Sequence, residues 1–406
     1  MARKMKDSGI EWIGEIPEGW EVVPVKRLCT MQAGKNLTSE QIAPEGTYPV
    51  YGGNGIRGFF SDYNCDGQFL TVGRQGALCG NVHKINGKVW ATEHAVITTP
   101  SSYTILDFLY YLLIGMDLNQ YVSSTAAQPG LAVGTLLNLK TCYPCSTLEQ
   151  TQISNYLNAK CSEIDIMLTK TRSSIEEYKK LKQAVITLAV TKGVRGEREM
   201  KDSGVEWIGK VPSKWNCIKI KYLFEIRKRI AGKEGYTVLS ITQTGIKPKN
   251  ISSNEGQLAD SYSNYQLLHF GEFAMNHMDL LTGWVDISNY NGVTSPDYRV
   301  FSLKDTITNH PRYFLYLMQM CYFNRIFYSM AQGVSSLGRW RLQSDKFLNC
   351  IFPVPSIEEQ KEISAYLDTT CSEIDKLIAK KEQLVKELES YKKSLIYEVV
   401  TGKREV

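Results

Sequence analysis

Histidine is scarce in this chain, five residues in 406, and long apolar runs are missing. The longest, ILDFLYYLLIG at 105–115, falls short of the ~18–20 residues that cross a bilayer. The opening MARKMKDSG has cations but no apolar core behind them, so no secretory signal is read and a cytoplasmic location is expected. No G-x-x-x-x-G-K-[S/T] phosphate loop occurs, which argues against a nucleotide-driven motor. The N-P-P-Y and D-P-P-Y tetrapeptides of adenine-N6 and cytosine-N4 methyltransferases are also absent. A P-D…E-x-K nuclease pattern can be assembled only from Pro296, Asp297, Glu359 and Lys361, and the matching Glu149-Gln150-Thr151 has no lysine. The chain is therefore expected to have no catalytic residues of its own.

Metal chemistry is as thinly supplied. Cys142 and Cys145 form a single C-x-x-C with no second pair and no neighbouring histidines, so four zinc ligands are not at hand. The ten cysteines read as free thiols of a long cytosolic chain. His83, His94, His269, His277 and His310 read as packing or incidental contacts.

Hydrophobic content of 43% with 22% charged residues is ordinary globular composition, and the length calls for two or three domains. The net charge of +5 is unevenly spread. Residues 205–350 hold 17 Lys and Arg against 11 Asp and Glu, while residues 10–148 hold 8 against 11. A basic balance favours a polyanionic partner, but only one half shows it.

Repetition is what the sequence has in quantity. MKDSGIEWIGEIPEGW at 5–20 returns as MKDSGVEWIGKVPSKW at 200–215, and STLEQTQISNYLNAKCSEID at 146–165 returns as SIEEQKEISAYLDTTCSEID at 356–375. The order head, variable region, helix thus occurs twice. Ser146-x-x-Glu149 and Ser356-x-x-Glu359 are capping boxes that start the two helices. Apolar positions then alternate by four and three: Leu157, Cys161, Ile164, Leu168, Ile175 and Tyr178, and Leu367, Cys371, Ile374, Ile378, Val385 and Leu388. This is a heptad seam, interrupted at the same step by Thr171 and Lys381. The helices run to about Val190 and Val400, rods of roughly 60 Å at 1.5 Å per residue. The shared period favours packing of the two rods on each other over packing of each on its own globular region.

The linker TKGVRGEREMKDSG at 191–204 is imitated by the C-terminal TGKREV placed before the N-terminal MARKMKDSG. The repeat is circular in character, so the last helix is expected to finish near the first head, with the rods antiparallel. The divergent middles carry short β-branched and aromatic runs broken by Gly and Asn, including YPVYGGNGIRGFF at 48–60 and YRVFSL at 298–303. A helix follows at about 104–121 in the first and 311–331 in the second. The expected fold is α+β: two globular mixed domains joined by two long antiparallel coiled-coil helices in a pseudo-two-fold circular repeat. The boundaries read as a first domain at 1–145 with its head at 5–28 and a helix with linker at 146–199. A second domain follows at 200–355 with its head at 200–223, then a helix and tail at 356–406. Trp12, Trp20, Trp207 and Trp215, kept in both heads, read as core.

DSGIEWIGEIPEGW ahead of a variable domain, LEQ or EEQ opening a long helix, and the whole repeated twice resemble the specificity subunit of type I restriction–modification systems. The resemblance spans essentially the entire chain. It implies two target-recognition domains, each reading half of a bipartite double-stranded DNA target in the major groove. It also implies a coiled coil that sets the spacer and docks two methyltransferase subunits, with restriction/translocase subunits completing the assembly. S-adenosylmethionine, ATP and Mg would then act on those partners, in DNA methylation and phage defence.

Base reading needs Arg, Lys, Asn or Gln at groove edges, and phosphate contacts need exposed cations. In the first domain the candidates are Lys35, Asn54, Arg57, Arg74, Gln75 and Lys84, with Arg57 and Arg74 in Gly-flanked loops. In the second they are Arg227, Lys228, Arg229, Lys233, Lys247, Lys249, Arg339 and Arg341. Two rival readings stay open: a bivalent DNA-binding protein of another defence or regulatory system, and a coiled-coil scaffold that binds no DNA.

Overall fold

The computed structural model describes residues 3–75, 79–122, 130–250, 259–331 and 340–406. The chain divides into two compact units, one of Met1–Arg172 with Glu382–Val406 and one of Ser173–Lys381. The divisions fall inside the two long helices, Thr147–Lys192 and Ile357–Val400.

The first unit is built on a four-stranded antiparallel sheet in the order Cys29–Ala33, Ala95–Pro100, Gln68–Gly73, Val82–Asn86. Its central strands bury almost every side chain, as runs such as FLTV and AVIT require. The helix Leu106–Gly115 adds Phe108, Leu109 and Leu112 to the same core as Leu70, Val72 and Val96. The head forms a two-stranded ribbon of Met5–Asp7 with Glu15–Pro17. Trp20–Pro24 then pairs with Lys140–Pro144, the strand that feeds the first long helix. Within this unit residues 147–172 meet the C-terminal part of the second long helix. Lys392 pairs with Asp165, and Arg172 with Glu389, so one number rises as the other falls and the helices are antiparallel. Leu157, Ile164 and Leu168 share a core with Leu395, Ile396, Val399 and Val400, with Val385 and Leu388 partly buried against it.

The second unit repeats the plan. Its sheet runs Phe224–Arg227, Arg299–Leu303, Phe273–Met275, Val285–Ile287, the same order. Its helix is Pro311–Phe323. Met200–Asp202 pairs with Lys210–Pro212, and Asn216–Lys219 with Ile351–Val354. Lys182 pairs with Asp375 at 2.7 Å and Arg195 with Glu362 at 2.8 Å, so the chain directions are again antiparallel. Leu367 and Cys371 join Ile186, Ala189 and Val190 in its core; Ile175 and Ile374 are buried, and Tyr178 and Ile378 half-buried. Lys381, one of the breaks in the apolar seam, lies 5.6 Å above the Tyr178 ring.

The circular repeat is closed inside each unit. Gly402, in the left-handed region at φ 73°, sits where any Cβ would strike Pro17 and approach Trp20. The Tyr397 hydroxyl donates to Trp12 O at 2.9 Å. Thus the second long helix ends on the first head, and the first ends on the second, where Lys192 Nζ donates to Ile208 O.

Two local expectations are corrected. The helices foreseen at 104–121 and 311–331 stop at Gly115 and Phe323, because Asp117 (φ 43°) and Arg325 (φ 58°) turn left-handed. The capping boxes are half-formed. Ser146 Oγ and Ser356 Oγ accept the Glu149 and Glu359 N–H groups at 3.4 Å. The two carboxylates do not reach back to their own helix starts. Glu149 accepts from Trp20 Nε1 at 3.0 Å and pairs with Arg3, and Glu359 accepts from Trp215 Nε1 at 2.9 Å and pairs with Arg198. Stronger donors on the head outcompete the local cap. The next residue finishes the joint: buried Gln150 donates to Pro144 O and Tyr103 O and accepts from Ile105 N–H, and Gln360 does the same with Pro355 O, Thr308 O and His310 N–H.

Glu359 is nearly enclosed and Glu149 is not, with side-chain exposures of 7% and 28%. Glu359→Ala is therefore expected to destabilise its unit by about 2–4 kcal/mol, since it strands the buried Trp215 Nε1–H and the half-buried Arg198 guanidinium. Glu149→Ala should cost roughly half as much. Thermal unfolding of the two variants side by side checks the ranking.

Candidate nucleic-acid interface

In the first unit the strands Tyr48–Gly52 and Gly55–Phe60 form a hairpin whose tip is Gly53-Asn54, followed by Gly55 at φ 93°, a backbone conformation that favours glycine. Asn54 Oδ1 accepts from Asn81 Nδ2 at 2.8 Å. A Cβ on Gly53 would lie 2.9 Å from Gln75 O, so the tip rests on the backbone at the end of the central strand Gln68–Gly73. Arg57 lays its stem over Gly52 in the space a Cβ would take. The Arg74 N–H donates to His94 O, and Gly34 N–H donates to Ala95 O, which brings the start of the Lys35 loop to the same end of the sheet. Lys35, Asn54, Arg57, Arg74 and Gln75 thus gather at one sheet end. Lys84 does not join them. Its ammonium stands 2.7 Å from Asp107 and 4.4 Å above the Tyr110 ring, against the helices.

The same end holds polar groups that are not among the candidates for DNA contact, His83 and His94 reading in the sequence as packing or incidental contacts. Thr71 Oγ1, His83 Nε2, Thr92 Oγ1, Glu93 Oε2 and His94 Nδ1 are buried with no hydrogen-bond partner among the described residues. Thr71 and His83 are register partners, and the His83 ring packs where a Cβ on Gly55 would reach it. Burial lowers the His83 pKa. The only sequence signal here is strand alternation, which marks burial but not whether a polar atom finds a partner.

In the second unit Arg227, Lys228 and Arg341 stand at the equivalent sheet end, while the other candidate cations lie on neighbouring loops and a separate hairpin. Arg227 lies opposite Val300, donates to Ser302 Oγ at 3.0 Å and pairs with Glu225. Arg229 pairs with Glu272. Lys228 between them is exposed. Lys247 is exposed on the hairpin of Leu239–Thr242 with Gly245–Pro248, and Lys249 is half-buried with its N–H on Val238 O. Lys233 stands exposed, 5.6 Å from the Tyr236 ring. Arg339 lies outside the described residues. Arg341 is exposed, and the next N–H, of Leu342, donates to His277 O at 2.9 Å.

That last bond has a counterpart. In the first unit Leu131 N–H donates to Arg74 O at 2.9 Å. Val72 and Met275 hold matching places, each paired to a valine on the next strand, and Arg74 and His277 follow each by two residues. One unit therefore carries its corner cation on the strand end, as Arg74, and the other on the facing segment, as Arg341. Burial, with Arg299 and Arg341 adding to it, pushes the His277 pKa down to about 3, so its ring is neutral there.

Among the described residues no group of three His, Cys, Asp or Glu stands together as metal ligands. The cysteines are free, and Cys142 is buried with its pKa raised to about 12 while Cys145 is exposed. No helix of the described residues is long and apolar enough to cross a membrane.

Comparison with known proteins places this geometry. The chain is 45% identical over 121 residues to the EcoprrI type I restriction enzyme specificity subunit of Escherichia coli, a match covering 29% of this chain and 30% of that one. It is 23% identical to the MjaVIII specificity subunit of Methanocaldococcus jannaschii across 96% of this chain and 93% of the relative. Among solved structures, a chain from work on complex assembly and conformational transition of a type I restriction–modification system superposes with a TM-score of 0.68 at 12% identity, covering 96% and 99%. The HsdS subunit from Thermoanaerobacter tengcongensis gives 0.51 at 13% identity, covering 98% and 100%. At such identities these two matches speak for the fold. The family model of the type I restriction modification DNA specificity domain matches twice, at residues 17–177 and 212–387. With more than half its length matched by that model, the chain belongs to the type I restriction–modification specificity subunits, the family that recognises the DNA target.

Proposed function

We propose that each unit reads one half of a bipartite DNA target in the major groove, the first through the corner at Asn54, Arg57, Arg74 and Gln75 and the second through the corner at Arg341. The observation that carries this reading is the shared position of the two corners. Two sheets of the same order, built from divergent sequences, each place cations at the same end, joined in the first unit by Asn54 and Gln75. Arginine in a Gly-flanked loop suits bidentate contact with guanine, and Asn or Gln suits adenine. The ion pairs of Arg227 and Arg229 leave them better suited to phosphate positioning than to base reading.

The long helices, in this reading, set the spacer and dock two methyltransferase subunits, with restriction/translocase subunits completing the assembly. S-adenosylmethionine, ATP and Mg belong to those partners. Seven residues added to each long helix keep the heptad register and should lengthen the spacer with both half-sites unchanged.

Base-resolved methylome sequencing tests the reading in cells that express the chain with its companion methyltransferase, against cells lacking the chain. A new split motif methylated in both halves is the expected result. No new methylation from an assembled complex would reject it in favour of a scaffold. Arg74→Ala should relax one half-site by about 1–3 kcal/mol per affected base pair and leave the other intact, read from the same methylomes.

A further inference from the structure

We propose that Arg299 is a positioning residue of the second unit's DNA-reading corner: from inside the core it fixes the chain at Leu342 and Ser344, and so presents Arg341 to the target. The inference rests on the reading that this unit contacts DNA. It concerns a residue that touches no DNA itself.

Arg299 is 4% exposed, and among the described residues it forms no ion pair with a carboxylate. Its contacts are otherwise complete. One terminal nitrogen donates to Leu342 O at 2.9 Å and to Ser344 Oγ at 3.2 Å, the other lies 3.7 Å from Met275 Sδ, and the guanidinium stands 4.7 Å from the Phe347 ring. Leu342 is thereby held twice, its N–H by His277 O and its carbonyl by Arg299. Arg341 is the residue immediately before it, and it is exposed.

The fold does not require an arginine at this place. Arg299 lies opposite Met275 in the register, and the matching residue of the first unit, opposite Val72, is Val96, wholly buried. A valine satisfies the same sheet, whereas a buried guanidinium without a carboxylate carries a desolvation cost. The first unit also has no comparable need, since its corner cation, Arg74, already belongs to the strand end. In the second unit the strand end is His277, held neutral, and the cation must come from the facing segment. The arginine occurs in the unit where that segment has something to present. Lysine is a poor replacement, because its ammonium lacks the second terminal nitrogen that lies against Met275 Sδ and the planar face set by the Phe347 ring, and it is more strongly hydrated and so costlier to bury.

The test measures binding of the assembled methyltransferase complex to duplexes carrying the intact split target, or the target with either half scrambled. R341A is expected to lower discrimination at one half about tenfold, the scale of one lost arginine contact. R299M and R299K are each expected to lower discrimination at that same half by a similar factor, leaving the other half unchanged. Because Arg299 acts through Arg341, R299M/R341A should lose no more than R341A alone. Additive losses, equal weakening at both halves, an unchanged R299M, an unchanged R341A or full activity in R299K would each overturn the proposal. A wild-type complex indifferent to both halves would overturn the DNA reading and this proposal together. A discriminating wild type matched by R299M would overturn this proposal alone.

Discussion

Trp215→Ala is expected to destabilise the second unit by about 3–5 kcal/mol, a large part of the stability of an ordinary domain. The side chain is 1% exposed and shares a core with Val211, Ile220 and Leu367, so truncation leaves an apolar cavity at the junction of head and long helix. It also removes the Nε1–H donor of Glu359, which is nearly buried itself. Packing and hydrogen bond separate in Trp215→Phe, which keeps most of the volume and should cost about half as much. Trp20→Ala in the first unit should fall near Trp215→Ala, since Trp20 is equally buried and donates to Glu149. Trp207, half-buried in the same head as Trp215, should cost less. Scanning calorimetry of the four variants ranks them. A Trp207→Ala loss as large as that of Trp215→Ala would show that the joint with the helix is not what holds the head.

Acid should weaken the second unit through His277. Its folded pKa, about 3, lies below the usual 6.5, because burial and the nearby Arg299 and Arg341 all disfavour the imidazolium. The unfolded chain therefore binds the extra proton first as pH falls. Stability is fully present above about pH 6.5 and declines below it by about 1.4 kcal/mol per pH unit, or roughly 2 kcal/mol by pH 5. His310 in the same unit is shifted down as well, chiefly by burial, and adds to the slope. His277→Gln, neutral at every pH, should flatten the curve by about that 2 kcal/mol. Denaturant unfolding of both proteins at pH 7.5 and pH 5 measures the difference. Parallel losses in the two would refute the assignment to His277.

The repeated parts were the legible ones. Heads and helices recur with matching apolar positions, so two copies of each element stand as independent readings of one local structure, and the circular joint could be read from the matching junctions. The sheet end was half legible: Gly and Asn around Arg57 and Arg74 mark turns that bring backbone close, and those residues do meet. Partners chosen by tertiary packing left no local trace. Nothing in VHKIN says that Lys84 faces Asp107 on a distant helix, and nothing in FEIRKR pairs Arg229 with Glu272. Glu149 and Glu359 obey a local capping rule in sequence and are drawn away by tryptophan donors over a hundred residues off. The left-handed break at Asp117 has a weak signal, as Asp tolerates that conformation; Arg325 has none. Arg299 is the sharpest case. An arginine in YRVFSL looks like a surface residue until the strand is seen in the middle of its sheet.

The shared core of the first unit also bears on biosynthesis. Leu395, Ile396, Val399 and Val400 are core residues of a unit whose remaining core lies within residues 1–172. The second unit is contiguous, residues 173–381, and a ribosome has made all of it before residue 382 is added. At about 5–20 residues per second, the first unit waits on the order of ten seconds or more for its missing helix. The part of the protein translated first is the part completed last, and until then its open core is a client for whatever binds exposed apolar surface in the cell.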